Sequence, residues 1–170
     1  MTYQLKKMNI RKIINPFPPA WREEYNCFGC SPQNEIGLHL QFYDNENEVI
    51  AGWIPEKKFM GYPDVIHGGI QATLLDEIGG WTVYVKCETA GVTQEMTTTF
   101  HHPLRISKGE ATLKCRLVEI KEKQAILHAE LFDGEGRLCS AAKMVYYIYP
   151  QNIAQERFHY PGLQAFYDEI

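Results

Sequence analysis

VIHGGIQATLLDEIGG, residues 65–80, sets a histidine and two glycines ahead of an apolar run that carries two acids, Asp76 and Glu77. Glycine inside a helix costs roughly 1 kcal/mol against alanine, and a carboxylate among leucines and isoleucines is expensive unless something uses it. The pattern predicts one long central helix over residues 67–86. At about 100° per residue, Ile70, Leu74, Ile78, Trp81 and Val85 share one stripe, which is expected to face a sheet. The opposite side carries Gly69, Ala72, Asp76, Gly79, Gly80 and Val83, nearly all small. No Lys or Arg stands between Gly68 and Val85, and a helix without a charged, solvated face is buried all round. One sheet covers only one side. A second copy of the chain in a two-fold dimer is the simplest cover for the other; the alternative is that an N-terminal or C-terminal segment folds over it.

Strand patterns flank the helix. GLHLQFYD (37–44) and EVIAGWIP (48–55) precede it. Four runs follow it, at 92–103, 110–121, 123–133 and 137–149, with DGEG (133–136) as a hairpin signal. Pro150 ends the last strand, residues 152–168 predict a loose amphipathic helix, and MTYQLKKMNIRKII (1–14) a short helix or arm. The expected fold is α+β in a single domain: an arm over 1–30, a core of six mostly antiparallel strands around the helix over 31–150, and a helical tail over 151–170.

The chain has 170 residues, 45% of them apolar, and a net charge of −4. That length buries a real core, and the charge argues against a nucleic-acid partner. No stretch approaches the ~18 consecutive apolar residues of a membrane span, and the N-terminus lacks the apolar core of a signal peptide. The five cysteines (27, 30, 87, 115, 139) are odd in number, which argues for reduced thiols and a cytoplasmic location. Cys27 and Cys30 lie close together in NCFGC, with His39 able to add a third ligand. Tetrahedral zinc wants four, so the expectation is a tight turn with buried thiols and no metal.

Gly68 and Asp76 are separated by ~12 Å along one helix. Each still looks functional. Backbone N–H groups at a helix start favour anions, and a carboxylate on a small-residue face is available as base or nucleophile. Both can serve one site only if Gly68 comes from one subunit and Asp76 from another.

HGGIQATLLDEIGG, with its acid nine residues after the histidine, NCFGCSPQNEIGLHL (26–40) before it and VTQEMTTTFHHP (92–103) after it resemble the hotdog-fold acyl-CoA thioesterases. The similarity covers about residues 25–149 and points to the HGG branch, which includes phenylacetate-pathway and 4-hydroxybenzoyl-CoA thioesterases. It implies the hotdog fold and hydrolysis of an acyl-CoA to free acid and CoA. It also implies no cofactor beyond the coenzyme A of the substrate, and homodimers or dimers of dimers. By position, the N–H of Gly68 or Gly69 polarises the thioester carbonyl, and Asp76 is the nucleophile or general base. His67 shapes the loop and thioester pocket, and Thr93 positions water or the acid. Some relatives carry an Asn on the loop before HGG, where this chain has Gly61.

An oxyanion donor with a base or nucleophile is a sufficient set for acyl transfer. His101, His102, Arg105 and Lys108 cluster at one strand end and its loop, as candidates to bind the coenzyme A phosphates. Trp53, Phe59, Tyr62 and Trp81 are candidates to line an acyl pocket. Glu77 is the rival acid. A non-catalytic acyl-CoA-binding protein and an acyl-thioester dehydratase remain the alternative functions.

Overall fold

A computed structural model describes residues 10–16 and 25–167. Its strands are β1 (Arg11–Ile13), β2 (Gln41–Asp44), β3 (Val49–Trp53), β4 (Met60–Tyr62), β5 (Val65–Ile66), β6 (Gly91–Phe100), β7 (Ala111–Lys121), β8 (Gln124–Phe132) and β9 (Leu138–Ile148). Helix α1 spans Gly68–Lys86 and α2 spans Gln151–Phe158. Seven strands form one sheet in the order β1-β2-β3-β7-β8-β9-β6, and β4 and β5 pair as a separate ribbon. Every neighbouring pair in the large sheet is antiparallel. This is the hotdog arrangement of one long helix wrapped by a sheet.

The six expected strands form; most alternate apolar and polar residues with the period of a pleated strand, whereas β6, GVTQEMTTTF, is rich in β-branched threonine. In β8, Ala125, Leu127, Ala129 and Leu131 point into the core and their neighbours point out. Two expectations change. The sheet has seven strands rather than six, because Arg11–Ile13 pairs with β2, setting Ile13 against Phe42; residues 1–9 and 17–24 of the expected arm lie outside the described residues. The C-terminal helix stops at Phe158, where His159 turns left-handed at φ 52 and Pro161 follows. A short 3-10 turn, Leu163–Phe166, then returns to the core.

Helix α1 is buried more widely than its expected stripe. Leu74, Ile78, Trp81 and Val85 are buried as predicted, whereas Ile70 is only half-buried. Gly79 and Val83, expected on the far side, face the sheet instead. A Cβ at Gly79 would stand 2.9 Å from Met144 Cε and 2.9 Å from the Tyr146 hydroxyl, both on β9. Val83 packs against Gly91 at the start of β6. The sheet curls around the helix, so flat-contact reasoning assigns too narrow a face. On the other flank Trp81 stacks on Phe42 with centroids 4.8 Å apart, and Phe166 of the tail meets Trp81 and Tyr84. Lys86 closes the helix by pairing with Asp44 at 2.6 Å. What stays open is a strip of Gly69, Ala72, Thr73, Asp76 and Gly80.

Helix propensity alone makes Gly79→Ala stabilising by about 1 kcal/mol. The contact with β9 reverses the sign: we expect a loss of about 1–3 kcal/mol from overpacking, measured by urea denaturation.

Candidate active site

His67 caps α1. Its Nδ1 accepts from the Gly69 N–H at 2.9 Å, and its carbonyl accepts from Ile70 at 3.0 Å and Gln71 at 3.2 Å. The His67 N–H is itself held by the Phe59 carbonyl at 2.9 Å. One of the two candidate oxyanion donors is therefore spent on the cap. The Gly68 N–H makes no hydrogen bond among the described residues and points from the positive end of the helix. Gly61 lies against this cap: a Cβ there would stand 3.2 Å from the His67 ring. Glycine at this position lets the loop pack closely on His67.

A groove of 590 Å³ opens beside the helix start, lined in part by Tyr62, His67, Gly68, Gln71, Phe100, His101 and His102. The two histidines reach it because both of their N–H groups hook onto the Cys139 carbonyl, at 2.8 and 3.0 Å. Arg105 sits on the neighbouring loop, 3.5 Å from Asp64, and is half exposed. Lys108 is turned away to Glu135 at 2.7 Å. Arg137, not singled out in the sequence, stands with its Nη2 3.0 Å from His102 Nδ1. Of the four aromatic candidates, only Tyr62 lines this groove; Trp53 and Phe59 pack on each other in the core. Gln71 is a second residue missed in the sequence. It is 4% exposed, it donates to the Ile66 carbonyl, and its Oε1 has no partner among the described residues.

Asp76 lies two turns further along the open strip. Its Oδ1 accepts from the Thr93 hydroxyl at 2.7 Å and from the Tyr146 hydroxyl at 2.9 Å. The Tyr146 hydroxyl also reaches the Asp76 carbonyl at 2.7 Å. Thr93 and Tyr146 face each other across β6 and β9, and the register slips between Thr93 and Glu95. Such a bulge re-aims a side chain; here it accompanies the turn of Thr93 toward the helix. Burial first, and the Asp76 charge next, hold the Tyr146 phenol far above its usual range, so it remains a donor. Asp76 Oδ2 takes no hydrogen bond among the described residues.

Glu77, the rival acid, points to the opposite flank. Cys27 Sγ lies 3.5 Å from each of its oxygens, and Trp81 Nε1 donates to Oε1 at 3.2 Å. Burial, and then the Cys27 charge, push the Glu77 carboxyl up to about 7. The hydrogen bond from Cys30 leads the causes that lower Cys27 to about 5, making it the first of the two thiols to ionise. Tyr25 contacts Cys30 Sγ at 2.8 Å. His39 is not in the cluster, since its Nε2 meets the Asn34 carbonyl at 2.6 Å.

Known proteins share this architecture. The family model described as thioesterase superfamily matches residues 64–140. The Thermoplasma acidophilum protein Ta0293, provisionally named an esterase, is 32% identical over 95 residues, which are 55% of this chain and 70% of that relative. Among solved structures, a thioesterase superfamily protein matches with a TM-score of 0.66 at 19% identity, covering 72% of this chain and 60% of that one. A hypothetical thioesterase of Streptococcus pneumoniae TIGR4, solved with coenzyme A, matches with a TM-score of 0.57 at 20% identity over 62% of this chain and 84% of that one. A Streptococcus mutans UA159 protein bound to acetyl CoA matches with a TM-score of 0.57 at 18% identity over 62% and 83%. At these identities the structural likeness speaks for the fold.

Tyr146→Phe keeps the buried ring and removes both hydrogen bonds to Asp76. It should lower stability by about 0.5–1.5 kcal/mol in a denaturant titration.

Proposed function

Because the chain belongs to the thioesterase superfamily, we propose that it hydrolyses the thioester of an acyl-CoA to a free acid and CoA. The observation that carries this reading is the Asp76 carboxylate. Thr93 and Tyr146 fix one of its oxygens, and the other is open on the uncovered strip of α1. The Gly68 N–H, at the positive end of the helix, meets the thioester oxygen as negative charge gathers there. Asp76 either attacks the acyl carbon or takes a proton from the water that does. In both routes the carbon–sulfur bond breaks, water supplies the new carboxylate oxygen, and CoA leaves as its thiol. Thr93 and Tyr146 act by positioning Asp76, and His67 by shaping the loop that presents Gly68.

With ~12 Å between Gly68 and Asp76 along one helix, a single active site draws Gly68 from one subunit and Asp76 from its partner. Two features support a homodimer, alone or paired into a dimer of dimers. The open strip of α1 holds Asp76, and β6 is a ten-residue edge strand with Val92 42% and Phe100 53% exposed. His101 and His102 line the groove end assigned here to the coenzyme A phosphates, with Arg137 against His102 and Arg105 on the neighbouring loop; streptococcal neighbours solved with coenzyme A and acetyl CoA support a coenzyme A thioester as the ligand. Lys108, engaged with Glu135, contributes charge only after release. Among the described residues no helix is long and apolar enough to cross a membrane. The reading places the chain in the cytoplasm, where its thiols stay reduced.

Release of free thiol across a panel of acyl-CoA thioesters tests the proposal. Asp76→Ala should lower kcat by about 10²–10⁴-fold with KM nearly unchanged. Gly68→Pro deletes one N–H at the first helical position, where proline is tolerated, and His67 at ψ 138 already has the backbone that precedes proline. Its expected cost is about 10²–10³-fold in kcat. An Asp76→Ala chain that hydrolyses as fast as the native one overturns the mechanism. Turnover that alters the acyl chain and spares the thioester would instead mark a dehydratase, and binding without turnover an acyl-CoA-binding protein.

A further inference from the structure

Hydrolysis at Asp76 leaves the Cys27, Cys30 and Glu77 cluster unexplained. Glu77 is a largely buried acid on the flank of α1 away from Asp76, held between two thiols, and a carboxylate in such a place needs a partner. The ligand atoms of the three residues all lie within 4.8 Å of one another. We propose that Cys27, Cys30 and Glu77 bind a soft divalent cation, zinc by its ligand preference, which fastens the segment before β2 to the middle of α1.

The geometry supports this in four ways. Tetrahedral zinc, with bonds of about 2.3 Å to sulfur and about 2.0 Å to oxygen, sets its sulfur and oxygen ligands about 3.5 Å apart. Cys27 Sγ stands 3.5 Å from each Glu77 oxygen. The Cys-x-x-Cys spacing sits on a tight turn, closed by the Ser31 N–H on the Cys27 carbonyl at 3.1 Å, and the N–H groups of Gly29 and Cys30 favour the Cys27 thiolate. Room for the acid is built in. A Cβ at Gly29 would overlap the Glu77 carboxylate, so only glycine lets that side chain reach the two sulfurs. Outer partners then orient the ligands: Trp81 holds one Glu77 oxygen and Tyr25 contacts Cys30 Sγ at 2.8 Å. Three protein ligands leave the fourth tetrahedral position to a water or to the Tyr25 oxygen. Binding releases the thiol protons to solvent, and two thiolates with one carboxylate leave a single net negative charge on the site.

The role is structural. The ligand set joins the 27–30 turn to a helix position one residue beyond Asp76, and residues 38 and 40 of the same segment already pair with Phe28 and Gly29. The proposal stands independently of the hydrolysis reading, since it concerns the opposite flank of α1.

Cobalt substitution tests it. The full-length chain, purified without a metal-affinity tag, is stripped with chelator under reducing conditions and titrated with Co²⁺. One equivalent per chain should bind, with thiolate-to-cobalt charge-transfer absorption in the near ultraviolet and tetrahedral bands in the visible. Zinc should displace it and raise the Tm. Cys27→Ser and Glu77→Gln should each weaken binding by at least about tenfold. If those variants fail to fold, the spectrum of the native chain decides alone. A reduced native chain without the charge-transfer band overturns the proposal, as does a band that persists undiminished in folded Cys27→Ser and Cys30→Ser chains.

Discussion

The Asp76 carboxylate accepts hydrogen bonds from Thr93 and Tyr146, residues that lie opposite each other on β6 and β9. This contact ties the central helix to the edge of the sheet and sets the direction of the candidate catalytic acid in one stroke. The glycine next in the helix structure serves the same contact. Gly79 lets α1 approach β9 closely enough for the Tyr146 hydroxyl to pass and reach Asp76. A larger residue would keep the helix but push away the donor that orients the acid.

Around that contact the helix is divided by function. The sheet takes the face with Leu74, Ile78 and Val83; the Cys27–Cys30 turn and the C-terminal tail take the flank with Glu77, Trp81 and Tyr84. Among the described residues only the strip from Gly69 to Gly80 is left, and both candidate reacting groups lie along it or at its start. The His67 cap refines the chemistry further, because it consumes the Gly69 N–H and leaves Gly68 as the available donor.

Periodic features were legible in the sequence. The boundaries of α1 and of the six strands follow from local periodicity and strand propensity, which is why they fall within a few residues of the structure; the C-terminal helix ends ten residues early, at Phe158. β1 was not legible, since Arg-Lys-Ile carries no period and gains its place only by pairing with β2. Gly79 and Val83 were assigned to the wrong face because an angular projection assumes a flat contact, and this sheet curls. Asp76, Gly68 and Thr93 were named as candidates from the family resemblance, and the structure joins Thr93 to Asp76. Tyr146 could not be named, because it meets Asp76 across 70 positions of sequence; a tyrosine at an inward strand position was its one local signal. The third member of the Cys27 cluster was hidden likewise, since Glu77 is 50 positions from Cys27.

The central claim is that one site is built from two helices of opposite subunits. Mixing inactive Gly68→Pro and Asp76→Ala chains under exchange measures it directly. In a mixed dimer one site then holds an intact Gly68 and an intact Asp76, while the other holds neither. At equal amounts with random pairing, the shared site predicts recovery to about a quarter of native thioesterase activity. A mixture as inactive as its two components, with subunit exchange verified, would contradict it.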